Sequence, residues 1–445
     1  MLEKTYVDRG GCDVDLDSRE LEELFSSALS AALADINDAG KVIILPPDIT
    51  RFHSRAGFFT ETASRRLGDR LGAVLPALGT HMAMTDGEIS RMFGAVPREK
   101  FLVHDWRNDI TELGRIEKEW VEKASDGAVN YDWPVQVNKL LRKNSSGGSF
   151  SLAVSVGQVV PHEVAGMANH AKNLFVGTGG KEAIDKSHFA GAAFGMERIM
   201  GRANTPVRAL FDEGLRRFSN ELPPILWVLT VIGARTDIEA KTAGKERGSL
   251  AVRGLFIGFG RECFEKAAVL SRKVNVNLMN EPVNKMVVYL EPDEYRTTWL
   301  GNKAVYRTRM VIADGGELLI LAPALERFGE DLGVDALIRK HGYRPRAEII
   351  AKAAADAELG GNLSAAAHLI HGSSEGRFTV RYCPGERVSR KEIESVGFQW
   401  GDLKEAQNRY DIKKLSMGWN TVEGERIFFV PNPALGLWAE KRRFG

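Results

Sequence analysis

The sequence predicts an α/β fold with two α/β domains, residues 1–270 and 271–445, and a cleft between them. Short apolar runs rich in Val, Ile and Leu, such as Lys41–Leu45 and Ile225–Ile232, are typical of buried strands. Longer stretches carry apolar residues at helical spacing, as Leu21–Ile36 does. Strands that alternate with helices in this way favour open α/β sheets.

Length and composition are those of an ordinary soluble globular protein. The 445 residues suggest two or three domains, and the net charge of +1 offers no argument for a nucleic-acid or membrane partner. The three cysteines, Cys12, Cys263 and Cys383, lie far apart, which fits a reducing compartment and excludes a cysteine metal cage. The first residues include acidic groups and no apolar core, and no apolar run reaches the length of a membrane helix. We therefore expect a cytoplasmic location.

Polar residues follow the first predicted strand where it ends. Pro46 and Pro47 stop the run Lys41–Leu45. Asp48-Ile-Thr-Arg51 comes next, at the carboxyl end of the strand, where side chains can reach a crevice. Taken alone, Asp48 and Arg51 are better explained by a local turn with a surface ion pair.

Two further strands are predicted in the first half of the chain. Val74–His81 has the pattern of a strand that ends in a histidine, and Phe101–His104 has the pattern of another. Thr85-Asp-Gly-Glu88 predicts the capped start of a helix that runs to about Phe93. A lone histidine at a strand end is more often structural than functional, so His81 needs a further argument.

The stretch Val159–Phe189 concentrates groups that bind metals or transfer protons. It follows a predicted strand, Phe150–Val156, which comes after a turn predicted at residues 144–149. An open α/β sheet usually places its site at such a strand end. The histidines of the stretch and its two candidate lysines are His162, His170, His188, Lys172 and Lys181.

Two familiar motifs fail in this stretch. Gly177-Thr-Gly-Gly-Lys181 is not a nucleoside-triphosphate loop, because Phe175 stands where the first glycine belongs and Glu182 follows the lysine. Its glycines still allow backbone amides to approach a phosphate. His162-Glu163 lacks the histidine three residues later that a zinc-protease motif requires.

The predicted second domain opens with the strand Lys285–Leu290. A polar and aromatic loop, Glu291–Lys303, leads into a helix, and Gly315-Gly316 precedes another strand, Glu317–Leu321. Ahead of this domain, Gly258-Phe-Gly260 lacks the third glycine of a dinucleotide loop, so we reject a dinucleotide site there.

The histidine-rich stretch resembles the nickel-dependent lactate racemase family. In that family a catalytic histidine is followed ten residues later by a lysine that tethers the cofactor and then by a nickel-ligating histidine, an order that His162, Lys172 and His188 repeat. The resemblance implies a nickel-pincer nucleotide, a pyridinium bis-thiocarboxylic acid mononucleotide, tethered covalently at Lys172. It further implies that His162 is an acid/base, that His188 is the metal ligand, and that the N-terminal domain carries the cofactor site.

Four other positions agree with the family. Its Asp-x-Thr-Arg run matches Asp48 and Arg51, which implies that Arg51 binds the substrate carboxylate and that Asp48 orients a catalytic histidine. Arginine suits that task because its planar fork matches a carboxylate with two hydrogen bonds. The second acid/base then falls on His81. Lys303, placed by its distance from the Gly-Gly pair, falls on the lysine that holds the carboxylate from the C-terminal domain, which closes the substrate cleft.

The chain departs from the lactate-specific pattern around the substrate. Trp299 and Leu300 stand where the lactate enzyme has a tyrosine and a glutamine, and Leu363 stands where it has a tryptophan. Tyr295 and Trp299 belong to a polar and aromatic stretch that we expect to bind the substrate. These differences favour a substrate larger than lactate, such as a sugar acid or an aryl or branched 2-hydroxy acid.

The expected reaction is inversion at C2 of a 2-hydroxy acid. The hydrogen on that carbon leaves more easily as hydride than as a proton, because a proton would leave charge beside the carboxylate. Such a reaction requires a base for the hydroxyl group, a hydride acceptor and cations for the carboxylate. His81 and His162 would each serve one enantiomer. The expected neighbours of a phosphate are Gly177, Gly179, Gly180 and Lys181.

Two other functions stay open from the sequence. A nicotinamide-dependent 2-hydroxyacid dehydrogenase would need a dinucleotide loop. A non-catalytic protein that binds nickel or the cofactor would need His188 and Lys172 but not two acid/base groups. Expected partners are a small 2-hydroxy acid and the cofactor-synthesis enzymes, without nucleic acid or membrane, and the sequence is compatible with an oligomer.

Overall fold

The computed structural model describes residues 3–143, 150–246 and 249–444 and shows an α/β fold. The turn predicted at residues 144–149 lies outside the described residues. In the described part of the chain, no helix combines the length and the apolar character needed to cross a membrane. Cys12, Cys263 and Cys383 are free thiols.

By packing, the chain forms two compact units. Unit 1 comprises Met1–Ser187 and Met200–Asn275, and unit 2 comprises His188–Ile199 and Val276–Gly445. The predicted boundary between residues 270 and 271 stays a prediction, because these groupings describe packing and not independent folding.

The strands and helices that begin in unit 1 follow in chain order. The strands are β1 (Thr5–Gly10), β2 (Val42–Leu45), β3 (Leu71–Val74), β4 (Ile110–Ile116), β5 (Trp133–Asn138), β6 (Leu152–Gln158), β7 (Pro161–His162), β8 (Gly166–Met167), β9 (Ile225–Ala234) and β10 (Leu250–Gly258). The α-helices are α1 (Ser18–Ile36), α2 (Ala56–Leu67), α3 (Asp86–Phe93), α4 (Lys118–Ala124), α5 (Ala171–Phe175), α6 (Lys181–Phe194), α7 (Pro206–Phe218), α8 (Asp237–Thr242) and α9 (Glu262–Asn275). Helix α6 continues into unit 2.

The main sheet of unit 1 has the strand order β1-β10-β9-β6-β2-β3. From β3 to β9 neighbouring strands are parallel, and β10 and β1 extend that edge in antiparallel pairing. The chain runs from β2 outward to β3 and later returns to the other side of β2 as β6. Strand order therefore reverses between β2 and β6, which is where open α/β sheets form a ligand crevice.

The apolar patterns of the sequence explain this core. β9 is buried at nine of its ten positions, as a continuous apolar run predicts. Helix α1 buries Leu21, Phe25 and Leu29, which share one helical face, and it begins at Asp17, whose side chain accepts a hydrogen bond from the Glu20 amide. The predicted strands at 41–45, 150–156 and 225–232 are confirmed with small shifts at their ends.

Two strand predictions in unit 1 are wrong. The strand predicted over Val74–His81 ends at Val74, and His81 lies on the loop that follows β3. The physical reason is local, because Pro76 lacks an amide donor and Gly79 adopts a left-handed φ of 57°. Phe101–His104 contributes only an isolated bridge from Phe101 to Val74.

The elements of unit 2 also follow in chain order. The strands are β11 (Val276–Met279), β12 (Val283–Tyr289), β13 (Ile312–Ala322), β14 (Thr379–Pro384), β15 (Gln399–Trp400), β16 (Gly418–Val422), β17 (Glu425–Val430) and β18 (Leu437–Glu440). The α-helices are α10 (Thr298–Gly301), α11 (Lys303–Thr308), α12 (Leu332–His341), α13 (Arg346–Ala355), α14 (Ala357–Gly360), α15 (Leu363–His371), α16 (Arg390–Ser395), α17 (Leu403–Arg409) and α18 (Lys441–Phe444).

The strand order of the main sheet in unit 2 also reverses. Its order is β15-β14-β13-β12-β17-β16, and all neighbours are parallel except β16 with β17. The chain moves from β12 outward through β15 and then returns to the other side of β12 as β17. The strands predicted at 285–290 and 317–321 are confirmed inside β12 and β13.

Candidate active site

Three neighbouring strands of unit 1 present predicted site residues at one edge of the sheet. The loops after β2, β3 and β6 carry Asp48, His81 and His162. Because β3, β2 and β6 are adjacent and parallel, these loops leave the same edge. The Ala77 amide donates to the Pro46 carbonyl over 2.7 Å, which joins the first two loops. The sheet thus brings together residues that lie more than a hundred positions apart.

Asp48 is a buried carboxylate that forms a hydrogen bond with a histidine. It caps the 3-10 helix Ile49–Ser54 and accepts hydrogen bonds from the Thr50 amide at 3.0 Å and the Thr50 hydroxyl at 2.5 Å. Its other oxygen, Oδ2, accepts from Nδ1 of His81 at 2.5 Å. Since that bond holds the His81 proton on Nδ1, the neutral ring keeps its lone pair on Nε2. The His81 ring is 47% exposed, so Nε2 can meet a small molecule.

The charge of Asp48 is stabilised by its neighbours. Burial alone would raise the pKa of this carboxyl group, but the hydrogen bonds from His81 and Thr50 and the positive charges of His81 and Arg51 lower that pKa to about 2. Asp48 therefore remains a carboxylate at any working pH. Its role as an orienting group stays a prediction.

His162 has the opposite hydrogen-bonding state from His81. The Val164 amide donates to Nδ1 of His162 over 3.1 Å, which places the proton of the neutral ring on Nε2. Nε2 lies 3.8 Å from a carboxylate oxygen of Glu163, beyond hydrogen-bonding distance. The side chain is only 8% exposed. One histidine thus offers a lone pair at Nε2 and the other offers a proton there.

Lys172 lies on the short helix α5, which is anchored at the point where the strand order reverses. The next residue, Asn173, donates from its side-chain amide, Nδ2, to the Leu45 carbonyl at 3.1 Å and to the Ser155 hydroxyl at 2.9 Å. These two acceptors belong to β2 and β6. The anchoring places Lys172 at the crevice between these two strands.

The electrostatic surroundings of Lys172 favour its neutral amine. The protein packed around this half-buried side chain lowers the pKa of Lys172 to about 8, and the charge of Arg51 adds to that effect, while Glu163 opposes it. A neutral amine is the form that can make a covalent amide-type bond. The same interactions show that Arg51, Glu163 and Asp48 lie within electrostatic range of Lys172.

Arg51 offers a cation at this edge. Its side chain is half-buried, and its backbone departs from helical geometry at φ −115° and ψ 30°. Across the described ranges, its guanidinium group makes no hydrogen bond or ion pair. A carboxylate ligand would supply the partner that an arginine at a crevice otherwise takes from the protein.

Sequence reasoning missed the residues that hold the loop before Lys172. Asn169 and His170 both have positive φ, 65° and 55°, although neither is glycine. Arg208, fully buried on α7, donates to the carbonyls of Met167 at 2.6 Å and Asn169 at 3.2 Å. Strained backbone that persists in a buried loop is common beside functional groups. The sequence signals only that asparagine tolerates such a φ, and nothing in it marks Arg208.

The glycines predicted beside a phosphate have a packing reason of their own. A Cβ atom would collide with the carbonyl of Asn173 at Gly177, with that of Phe175 at Gly179, and with the Gln136 side chain at Gly180. The lysine of the same run, Lys181, pairs with Asp185. Close packing alone thus accounts for the glycines, and their role toward a phosphate stays a prediction.

The remaining predicted residues belong to unit 2. His188 is half-buried on α6. Lys303 begins α11, and its ammonium lies 5.7 Å from the centre of the Tyr295 ring. The buried Tyr295 hydroxyl donates to Asn432 at 3.1 Å. Trp299 on α10 packs against the ring of His368 at 4.4 Å between centres.

A buried polar network lies behind Trp299 and was not expected from the sequence. The Tyr343 hydroxyl bonds to the Thr298 hydroxyl at 2.7 Å and to Nε2 of His368 at 2.9 Å. Nearby, the Tyr382 hydroxyl donates to Asn302 at 2.7 Å. These bonds fix α10 and Asn302, the residue just before Lys303. The sequence offered no signal because the partners lie 25 to 80 residues apart.

Comparisons with known proteins agree with this arrangement. Residues 18–198 match the family described as the lactate racemase N-terminal domain. A crystal structure of a protein from Thermotoga maritima superposes with a TM-score of 0.78 at 22% identity, covering 98% of this chain and 100% of that one. The lactate racemase apoprotein from Thermoanaerobacterium thermosaccharolyticum superposes with a TM-score of 0.65 at 16% identity, covering 94% and 93%. No match was found among proteins of curated function.

The two kinds of comparison support each other. The sequence match covers the segment that contains Asp48, His81, His162 and Lys172, and the structural matches extend the same fold over nearly the whole chain. Residues 18–198 are thus similar to the lactate racemase N-terminal domain, and the chain shares its fold with both solved structures over nearly its whole length.

Proposed function

We propose that this protein is a racemase or epimerase that inverts C2 of a 2-hydroxy acid with a nickel-pincer nucleotide tethered at Lys172. The observation that carries the proposal is the Asp48–His81 pair, with 2.5 Å between Oδ2 and Nδ1, at the same crevice as a lysine whose pKa is lowered to about 8. The carboxylate holds the His81 proton on Nδ1, which leaves Nε2 available to accept a proton from a substrate hydroxyl group.

The donor set fits the proposed cofactor. Within the described ranges, no group of three or more His, Cys, Asp and Glu side chains could hold a metal ion. A pincer nucleotide brings a carbon and two sulfur donors of its own, so a single histidine from the protein, His188, would hold the nickel, and imidazole suits nickel. When bound, the cofactor would supply the electrophilic carbon that takes and returns a hydride. Lys172 would hold it, and its depressed pKa favours the amine needed for the link.

The two histidines would move the hydroxyl proton of the substrate. For one enantiomer, Nε2 of His81 accepts the proton, and Asp48 stabilises the imidazolium that forms. For the other enantiomer, Nε2 of His162 must accept, which requires the ring proton to shift to Nδ1 and displace the Val164 amide. The proton that His162 now carries at Nε2 can hydrogen-bond to the substrate oxygen.

Cations and aromatic side chains would bind the rest of the substrate. Arg51 is the proposed carboxylate ligand, because its guanidinium group lacks a hydrogen-bond partner among the described residues. We keep Lys303, Tyr295 and Trp299 as proposed substrate-binding residues. Trp299, in place of the tyrosine of the lactate enzyme, favours a substrate larger than lactate, such as a sugar acid or an aryl or branched hydroxy acid. A cytoplasmic location and delivery of the cofactor by its synthesis enzymes are part of this proposal.

The test is cofactor loading followed by inversion. The native chain, Lys172→Ala and the control Lys186→Ala are produced together with the cofactor-making enzymes, and intact mass and nickel content are measured. We expect added mass and about one nickel per chain in the native protein and the control, and neither in Lys172→Ala. Single enantiomers of lactate, aldonates and aryl 2-hydroxy acids are then incubated with the loaded protein and followed by chiral chromatography.

The outcomes separate the candidate functions. Inversion of any of these acids supports the racemase. A loaded protein that inverts none of them, while binding them, favours a non-catalytic cofactor protein. A native chain that stays unloaded under conditions that load a known lactate racemase contradicts the proposal.

A further inference from the structure

Helix α6 is held at its two ends by different parts of the fold. Near its start, the Trp133 indole donates to the Ala183 carbonyl at 3.0 Å, and the Tyr131 hydroxyl donates to the Lys186 carbonyl at 2.5 Å. All these residues belong to unit 1, whereas the helix from His188 onward belongs to unit 2. His188 is thus the first residue of the part that packs with unit 2.

Two arginines of unit 2 bind the end of that helix and the residues just after it. Arg346 donates from its guanidinium group to the carbonyl of Phe194, the last residue of α6, over 3.2 Å. Arg309, only 1% exposed, forms an ion pair of 2.7 Å with Glu197, three residues farther on. A second carboxylate, Glu375, accepts from the Arg346 amide at 3.0 Å and lies 3.9 Å from Arg309. We call Arg309, Arg346, Glu197 and Glu375 the helix clamp.

The backbone between the end of α6 and Glu197 leaves room for the Arg346 side chain. Gly195 has a φ of 113°, which side-chain-bearing residues rarely adopt. A Cβ atom at this position would collide with the Arg346 guanidinium group. The arginine therefore occupies space that only a glycine leaves open.

The other side of the clamp is equally fixed. The Arg309 carbonyl accepts a hydrogen bond from the Arg377 guanidinium group at 2.5 Å, and the Arg309 side chain lies 3.5 Å from the His371 carbonyl. A buried arginine with these contacts cannot change its position without losing them. Removing Glu197 would leave the charge of the buried Arg309 less compensated, so the pair resists separation.

His188 lies on the clamped part of the helix. An α-helix rises about 1.5 Å per residue, so His188 is about 9 Å along the axis from Phe194. A helical segment this short moves as a rigid rod, and a shift of its carboxyl end is passed directly to the histidine. A metal ligand tolerates little such displacement, since coordination distances are defined to a few tenths of an ångström.

We propose that Arg309 and Arg346 are positioning residues that set the place of His188 by clamping the end of the helix that carries it. This inference rests on the proposed function, in which His188 is the nickel ligand. The arginines touch neither substrate nor cofactor in this proposal, and they act only through the helix.

The test measures how firmly nickel is held in the loaded protein. Native protein, Arg309→Met, Arg346→Met and His188→Ala are loaded with cofactor, and nickel release to excess EDTA is followed in time together with intact mass. The control is Lys285→Met, which removes the Lys285–Glu317 ion pair between β12 and β13, away from the clamp. We expect both arginine variants to release nickel about tenfold faster than native protein, approaching His188→Ala, while the organic mass on Lys172 stays. The control should match native protein, and Arg309→Lys, which keeps the charge, should recover part of the native rate.

Other outcomes overturn the inference in distinct ways. Native release rates in both arginine variants, beside fast release in His188→Ala, would show that the clamp does not position the ligand. Equal release from native protein and His188→Ala would remove the nickel-ligand role and this inference with it. A native chain without added mass would instead contradict the proposed function itself.

A second measurement covers the case in which Arg309→Met does not fold. Glu197→Gln removes only the charge of the half-exposed partner, and amide hydrogen exchange is measured in this variant without cofactor. The clamp predicts faster exchange over residues 190–194 and unchanged exchange over residues 183–186, which unit 1 holds. Uniform exchange along the helix would contradict the inference.

Discussion

The two units place their candidate residues at the same kind of topological position but fill it with different chemistry. In unit 1, the loops at the reversal between β2 and β6 carry charged groups with shifted pKa values, Asp48 and Lys172. In unit 2, the loop after β12 is backed by hydroxyl groups, and burial raises the pKa values of Tyr343 and Tyr382, so that both stay protonated. One sheet edge thus carries ionisable groups whose charge depends on their neighbours, and the other carries hydroxyl groups that stay protonated and hold side chains in place.

The largest effect is expected for the histidines of unit 1. His81→Gln and His162→Gln each remove one proton acceptor, and general acid/base groups typically contribute about 10²- to 10⁴-fold to a rate. Inversion of the 2-hydroxy acid by loaded protein should fall by about that factor in each variant, measured by chiral chromatography.

The exposed His53 provides the matched control for this prediction. His53→Gln changes an exposed histidine on the Ile49–Ser54 helix to which we assign no role, and it should keep the native rate. Equal losses in all three variants would mean that these substitutions act through the fold and not through proton transfer.

A smaller loss of rate is expected when the orienting carboxylate is neutralised. Asp48→Asn retains the shape of the side chain but no longer stabilises a protonated His81, and loss of such a partner typically costs about 10- to 100-fold. The pH profile should change as well, because the imidazolium of His81 loses its counter-charge. An Asp48→Asn variant with a native pH profile would show that His81 works without Asp48.

Replacing the neighbouring Lys172 should increase the stability of the protein, whereas the substitutions above reduce its rate. Burial depresses the pKa of Lys172 to about 8 from its ordinary value of 10.5, so the folded state is penalised wherever the amine is protonated. Lys172→Met should stabilise the cofactor-free protein by about 2 kcal/mol, allowing for partial solvent screening. The penalty is complete below pH 8 and disappears as the pH rises to the unfolded value of 10.5.

Denaturant unfolding at a series of pH values measures this effect. The difference between native protein and Lys172→Met should be constant up to about pH 8 and should shrink above it. A native chain that is more stable than the variant at pH 7 would show that Lys172 is compensated in the fold.

The smallest effect is expected in the polar network of unit 2. Tyr343→Phe removes the hydroxyl that joins Thr298 to His368, and an unmet buried hydrogen bond costs about 1 kcal/mol or slightly more. Thermal unfolding should show the loss. In the proposed reaction KM should rise with kcat nearly unchanged, because the network supports Trp299 and transfers no proton. A large fall in kcat would contradict the proposed difference in chemistry between the two units.

Sequence patterns were enough to predict much of the fold and part of the candidate site. The buried strands β2, β6 and β9 followed from short apolar runs, and Asp48, His162 and Lys172 were selected because their order along the chain resembles that of a known family. His81 was selected although its strand was misplaced, because its assignment depended on the resemblance and not on the strand. Asn173 and Arg208 were missed, since each acts through bonds to distant backbone carbonyls that no local pattern reveals.

The sequence by itself determined the class of the fold and the set of reactive groups, because apolar periodicity and residue type are local properties of a chain. Only the tertiary structure decided which atoms of those groups carry protons. The bond from His81 to Asp48 and the bond from the Val164 amide to His162 give the two rings opposite tautomers. The clamp at the end of α6 is likewise a tertiary feature, formed by residues more than a hundred positions apart. Chain order cannot encode it because a hydrogen bond depends on distance and angle in three dimensions.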